Sequence, residues 1–178
     1  MAPDMKKTIA EAARKLLIDK NVKKLTVKDI VAECQITRQT FYYHFEDIPA
    51  LIQWVIKQSI PQLLDEAFAL KDPEKALRYF FLFALNSSAY VKKGMQTNYG
   101  DEIERLLEQF VYELLEQICE REHLYESLGR SELKLVLRYH SQAILGFMKH
   151  WSDEDTRNLD MIVHQLYLLI SGKISPFS

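Results

Sequence analysis

The sequence predicts an all-α protein, and two observations support that prediction. Apolar residues recur at spacings of three and four along the whole chain, which is the periodicity of helices that bury one face. No segment alternates apolar and polar residues for long, as a half-buried strand would. With 178 residues, of which 48% are hydrophobic, the chain is long enough to bury a core.

The N-terminal segment predicts three helices, each with its own start signal. The first covers roughly residues 4–20. Thr26, with Asp29 three positions later, resembles a capping box and starts a second helix that ends near Cys34. Thr37 is then the N-cap of a third helix, after a turn of about three residues.

The remaining helices are predicted to be longer. A helix from Asp47 to about Phe68 is expected to kink or divide at Pro61, because proline removes a backbone donor and clashes with the preceding turn. Together with a short segment between Gly94 and Gly100, the chain should hold about nine helices. The other predicted helices cover about 72–90, 101–121, 131–151 and 152–171, the last of them ending before Gly172.

Charge and cysteine content limit the classes of protein that fit. Residues 1–57 hold 10 Lys and Arg against 7 Asp and Glu, whereas the remainder holds 13 against 18, so only the first part is expected to contact a polyanion. Cys34 and Cys119 lie far apart, which predicts neither a disulfide framework nor a zinc finger. Without a long apolar run or a signal peptide, the chain is expected to be cytoplasmic and to make no membrane contact.

The second and third predicted helices form a helix-turn-helix with the first helix packed behind them. In this motif the last helix inserts its N-terminal end into the major groove of DNA. The stretch "TRQTFYYHF" at 37–45 places Phe41 and Phe45 on one face, which is expected to be buried. The residues predicted to contact DNA bases or phosphates are Thr26, Lys28, Thr37, Arg38, Gln39, Thr40, Tyr42, Tyr43 and His44. Four further lysines are either a solvated fringe or phosphate contacts, namely Lys6, Lys7, Lys23 and Lys24.

The segment "LTVKDIVAECQITRQTFYYHFEDIPALI" resembles the TetR family of bacterial regulators. The pattern of that family begins with Thr, passes through a turn and closes on an aromatic-Tyr-x-His-Phe run, and the resemblance covers about the first third of the chain. The same run, followed by Trp54, looks more like a subgroup that includes activators of dihydroxyacetone-kinase operons. The resemblance implies a DNA-binding domain over 1–46 and a helical effector-binding and dimerisation domain over 47–178.

Two positions depart from the family pattern. The family often has Gly in the turn where this chain has Gln35, so Gln35 is expected to be left-handed at some cost. Family members also commonly carry a Lys just after the His-Phe pair that reaches a phosphate. Here Ile48 and Pro49 stand in that segment, and the expected contact lacks its lysine.

The resemblance also implies a cavity for a small apolar effector among the middle helices. Core packing is the alternative explanation for the many aromatic rings in this part of the chain. Glu120 and His123 form an E-x-x-H spacing, but no second copy accompanies it, so no metal site is predicted. The sequence contains no Gly-rich phosphate loop, HExxH or GxSxG motif, and no other cofactor and no enzymatic activity is predicted. The residues expected to line the cavity are Phe83, Asn86, Tyr90, Tyr99, Phe110, Tyr139 and His140.

The last two predicted helices present apolar faces that suit a homodimer. A single helix-turn-helix makes few base contacts, whereas two heads about 34–36 Å apart read a palindromic operator. The leading hypothesis is thus a ligand-responsive repressor; the alternatives are an activator or adaptor controlled by a protein co-regulator, and an all-α metal-binding enzyme. The predicted dimer interface consists of Leu137, Ile144, Phe147, Met148, Ile162, Leu166 and Ile170.

Overall fold

The structure is a computed structural model that describes residues 4–171, 173 and 174, and it confirms the all-α class. Within these residues there are ten helices and no strand. Gly172, predicted to follow the last helix, lies outside the described residues. In chain order the helices are α1 Met5–Ile18, α2 Val27–Cys34, α3 Arg38–His44, α4 Ile48–Gln58, α5 Ile60–Ala69, α6 Pro73–Met95, α7 Gly100–Arg121, α8 Arg130–Lys149, α9 Asp153–Arg157 and α10 Leu159–Ile170.

The chain forms two compact units. The first contains the residues up to Ser59 together with Ser87–Leu114, and the second contains Ile60–Asn86 together with the residues from Leu115 onward. Helices α6 and α7 therefore contribute to both units. The predicted domain boundary between residues 46 and 47 stays a prediction.

Helices α1 to α4 share one apolar core in the first unit. Ile9 of α1, Ile30 of α2 and Phe41 of α3 are completely buried in it. Burying a side chain of this size contributes about 1.5–3 kcal/mol, so these three residues supply much of the stability of so small a cluster. The same core takes up Ile48 and Leu51, which attaches α4 to the preceding helices.

Side chains cap the first four helices at the predicted positions or within a residue of them. The hydroxyl oxygen of Thr26 accepts the N–H of Asp29 at 3.2 Å, and that of Thr37 accepts the N–H of Thr40 at 3.1 Å. Asp4 caps α1 and Asp47 caps α4 in the same manner. Each cap of this kind contributes about 1 kcal/mol to the helix it starts.

Two predicted helices are divided by a single residue. Ser59 separates α4 from α5, and its hydroxyl donates to the carbonyl of Ile56 at 2.7 Å. Pro61, the second residue of α5, lacks the N–H that a continuous helix would need, which accounts for the expected break. Asn158 separates α9 from α10 in the same way.

The second unit contains a core formed by Phe81 of α6 with Leu159 and Val163 of α10. The ring of Trp151 lies 5.5 Å from that of Phe81 and closes this core on one side. Among residues 4–171, 173 and 174, no helix combines the length and the apolar character that a bilayer span needs.

Candidate nucleic-acid interface

The turn between α2 and α3 sets the direction of α3 relative to α2. Gln35 adopts a left-handed backbone with φ 57° and ψ 40°, as expected from the sequence. The N–H of Ile36 donates to the carbonyl of Val31 at 3.0 Å. This bond gives a carbonyl in the last turn of α2 a hydrogen-bond partner where the helix ends. Thr37 then starts α3, so two helices meet across only three residues.

Helix α3 has one buried face and one exposed face. Phe41 is fully buried and its ring lies 6.1 Å from that of the buried Phe45. Tyr43, in contrast, is 85% exposed, and Tyr42 is exposed as well. Large rings with a hydroxyl left in water are suited to a partner that offers polar groups, because the ring buries area while the hydroxyl bonds.

The N-terminal tip of α3 carries the side chains that suit base edges. Arg38 and Gln39 are exposed there. Arginine pairs bidentately with guanine and glutamine with adenine in the major groove. The hydroxyls of Thr37 and Thr40 lie 2.9 Å apart and bond to each other, so one of the two protons is already used within the tip.

The side chains predicted to bind phosphates on either side of this tip differ in whether their hydrogen-bond donors are free. Lys28 is exposed in the first turn of α2. The Thr26 hydroxyl donates its proton to the carboxylate of Asp29 at 2.6 Å, so it has no proton left for a phosphate while that bond holds. His44 is half-buried and packs edge to face on Tyr43, with the ring centroids 5.0 Å apart.

A contact that sequence reasoning missed joins this region to the connection between α6 and α7. The amide of Leu25, which precedes the cap of α2, donates to Oδ1 of Asn98 at 3.0 Å. Lys93 bonds to the side chain of Asn21 beside it. The partners lie more than 70 positions apart along the chain. No local pattern in the sequence could indicate this pairing.

The residues predicted to line an effector cavity do not share one environment. Tyr99 packs against the core of α1 to α4, and the ring of Tyr90 lies 5.9 Å from the Arg14 guanidinium. Phe110 lines a pocket in the first unit of about 10 Å³, which holds one water molecule at most. The prediction that these residues bind an effector stays a prediction.

The other members of that predicted set lie in the second unit. Phe83 is half-buried, whereas Asn86 and Tyr139 are exposed. His140 is half-buried, its Nε2 lies 3.2 Å from the Tyr125 hydroxyl, and burial lowers the pKa of its imidazole.

The predicted dimer residues divide into buried and exposed side chains. Leu137 is 1% exposed, and Met148 and Leu166 pack against the core of the second unit. Ile144 and Ile162 are half-buried, while Phe147 and Ile170 are exposed. Four further exposed apolar residues of α8 and α10 were not assigned to the dimer interface from the sequence, namely Leu135, Tyr139, Met161 and Leu169.

The E-x-x-H spacing of Glu120 and His123 does not lie on one helix in the structure. His123 lies beyond the end of α7 with a left-handed φ of 55°, so it does not share a helical face with Glu120. Its Nδ1 instead lies 2.8 Å from a carboxylate oxygen of Glu126. No group of three or more His, Cys, Asp or Glu side chains that could hold a metal occurs among the described residues.

Three helices that share one core, with exposed polar side chains at the start of the third helix, form a helix-turn-helix, which is the fold of a class of DNA-binding proteins. Residues 9–53 match the family model described as "Bacterial regulatory proteins, tetR family". This match covers the helix-turn-helix and confirms the resemblance of this segment to the TetR family that was drawn from the sequence. No curated protein matches the chain in sequence.

A solved structure with a TM-score above 0.5 shares the fold beyond this domain. The dihydroxyacetone kinase operon activator DhaS aligns at 19% identity over 95% of this chain and 95% of that one, with a TM-score of 0.62. The fatty acid degradation regulator FadR from Bacillus halodurans aligns at 16% identity over 91% and 97%, with a TM-score of 0.49. A TetR-family transcriptional regulator from Bordetella parapertussis 12822 aligns at 16% identity over 94% of both chains, also with a TM-score of 0.49.

Proposed function

We propose that this chain is a homodimeric, ligand-responsive repressor that binds a palindromic operator. The exposed tip of α3 carries this proposal, because Arg38 and Gln39 are presented to solvent by a helix whose opposite face is fully buried. A rigid helix with free base-reading side chains is what sequence-specific binding in the major groove requires.

The exposed apolar residues of α8 and α10 support the homodimer. Leu135 and Tyr139 are each 69% exposed, which would leave a large apolar area in water on a monomer. We propose that this surface, extended by the exposed Phe147, Met161, Leu169 and Ile170, pairs with its copy across a two-fold axis. Two heads then contact two half-sites about 34–36 Å apart.

Ligand response requires that an effector bind more tightly to one state of the protein than to the other. Titrating apolar compounds into the protein–operator complex tests this part of the proposal. A repressor of this type loses operator affinity as the compound saturates it, and a compound that binds without changing that affinity contradicts the scheme.

One observation favours a second candidate, in which a protein co-regulator controls an activator or adaptor. The pocket lined by Phe110 has a volume of only about 10 Å³, far below the 300 Å³ or more typical of small-molecule sites. Under this alternative, operator affinity changes on addition of the co-regulator and does not change with any small compound.

The test of DNA binding begins with selecting bound fragments from the genome of origin, which yields the operator. Arg38→Ala is expected to abolish the preference for the operator over unrelated DNA. Lys28→Ala is expected to weaken both kinds of DNA alike and to lower the slope of log K against log salt by about 0.9 per head. If the two variants behave alike, the roles assigned to these side chains are wrong.

A further inference from the structure

Lys6, in the first turn of α1, holds its ammonium group over two aromatic rings. The Nζ atom lies 5.4 Å from the ring centroid of Phe45 and 6.0 Å from that of Trp54. The two rings meet edge to face at 5.7 Å and so form one apolar surface beneath the lysine. The side chain is half-buried, which fits a stem that covers apolar area while its charged end reaches water.

The charge of Lys6 is not neutralised within the described part of the chain. The ammonium forms no ion pair there, whereas Lys15 and Lys20 both pair with Glu33. A ring face attracts a cation but accepts no full hydrogen bond from it, so N–H donors remain for an anion. Lys6 is therefore a positioned cation with unused donors.

The rings beneath Lys6 place this cation at the carboxyl end of α3. Phe45 is the C-cap of that helix and follows the exposed Tyr43 by two residues. Seven helical residues span about 10 Å, and the major groove is about 12 Å wide. When the N-terminal end of α3 lies in the groove, a cation at its other end lies near the phosphates that border the groove. The residue that follows Asp47 supplies no charge, because it is an isoleucine, and Ile48 is buried in the core.

We propose that Lys6 is a phosphate contact of the DNA-binding head, here defined as α1 to α3, and that Phe45 and Trp54 position its ammonium group. The ligand is the backbone of duplex DNA, read without regard to sequence. This inference rests on the proposed DNA-binding function and adds a contact from α1, outside the helix-turn-helix itself.

The test measures binding to a fixed duplex of mixed sequence over a range of salt concentrations. Lys6→Met removes the charge but keeps the stem, and Lys6→Arg keeps the charge. Lys75→Met is the control, since it makes the same change at an exposed lysine of the second unit, outside α1 to α3. Lys6→Met should lower the slope of log K against log salt by about 0.9 per head, whereas Lys6→Arg and Lys75→Met should leave the slope unchanged.

The role of the rings is tested by Trp54→Leu, which keeps an apolar residue beside Phe45. This variant should weaken DNA binding about two- to five-fold in the presence of Lys6 and should have no effect in the Lys6→Met background. Thermal unfolding confirms that every variant is folded. A slope that is the same for wild type and Lys6→Met overturns the phosphate contact, and an equal effect of Trp54→Leu in both backgrounds overturns the positioning. If the wild-type protein binds no duplex at all, the proposed function itself fails.

Discussion

Gln35 is the residue in the turn whose backbone conformation is the most costly. Its φ of 57° lies in the left-handed region, which a side chain with a Cβ occupies at a cost of about 1–2 kcal/mol. The side chain is exposed, so the position requires a conformation and not a particular chemical group.

Gln35→Gly is therefore expected to stabilise the protein by up to about 1 kcal/mol. The glycine removes the left-handed strain, and part of that gain is offset because glycine also makes the unfolded chain more flexible. Urea unfolding measures the difference, with Gln35→Ala as a control that keeps the Cβ and should show no gain. A loss of stability in the glycine variant would show that the glutamine side chain itself stabilises the turn.

The ion pairs of Glu33 predict how the free energy of unfolding depends on pH. Its carboxylate pairs with Lys15, at 2.6 Å between Nζ and Oε1, and with Lys20, and these partners lower its pKa from 4.5 to about 2. Because the folded pKa lies below the unfolded one, the stabilisation is complete above about pH 4.5 and is lost as the pH falls toward 2.

Glu33→Gln should accordingly lower the free energy of unfolding at neutral pH, and the difference from wild type should shrink as the pH falls below 4.5. Urea titrations at neutral pH and at about pH 3 check this. Glu46→Gln removes an exposed carboxylate and serves as the control. A Glu33→Gln difference that stays constant over this range would contradict the ion pairs.

At the scale of the element, α3 has one face that packs in the core and one exposed face that is proposed to contact DNA. Phe41→Ala should cost about 3–5 kcal/mol, because it empties a fully buried site in the core of the head. Tyr43→Ala removes a ring of similar size from the exposed face, so stability should change by less than about 0.5 kcal/mol while DNA affinity falls. Chemical denaturation and gel shifts on both variants provide the comparison. A large loss of stability in Tyr43→Ala would mean that this ring packs within the protein.

The contact between α2 and the α6–α7 connection is expected to stabilise the start of α2. Asn98→Ala should cost about 1–3 kcal/mol, since it leaves the amide of the buried Leu25 without an acceptor. Asn98→Asp keeps Oδ1 in place and should retain most of the stability. Urea unfolding of both variants decides the question, and an equal loss in the two would point to an effect other than this hydrogen bond.

At the scale of the whole molecule, the proposed homodimer would link the apolar surface of α8 and α10 to operator affinity. Leu135→Glu should convert the protein to a monomer and weaken operator binding about 10²–10⁴-fold, because the second head no longer benefits from a high effective concentration. Leu124→Glu makes the same change at an exposed leucine outside both helices and should keep the dimer. Sedimentation and gel shifts measure the two effects. A Leu135→Glu protein that stays dimeric would place the interface elsewhere.

The features predicted correctly depend on neighbours along the chain. Thr26 and Thr37 cap their helices as expected, and Asp47 caps the helix that was predicted to start there, because a cap bonds to an amide two or three residues away. The break before Pro61 follows from a missing donor at that residue. These are local properties that a sequence displays directly.

Features that depend on distant segments could not be predicted in this way. Tyr99 packs on the core of the N-terminal helices, and Leu137 is buried within the second unit, and no neighbouring residue in the sequence indicates either environment. An apolar residue on an amphipathic helix has the same pattern whether its own chain or another molecule covers it. Only the packing of the folded chain separates these two cases.

The amino-acid sequence alone establishes the all-α class, the helix-turn-helix and the two faces of α3, since periodicity and capping bonds act over a few residues. The tertiary structure decides that Asn98 holds the start of α2, that Lys6 lies over Phe45 and Trp54, and which apolar residues of α8 and α10 stay exposed. These outcomes depend on which distant segments pack together in the folded core. That information is spread over the whole chain and is not contained in any single motif.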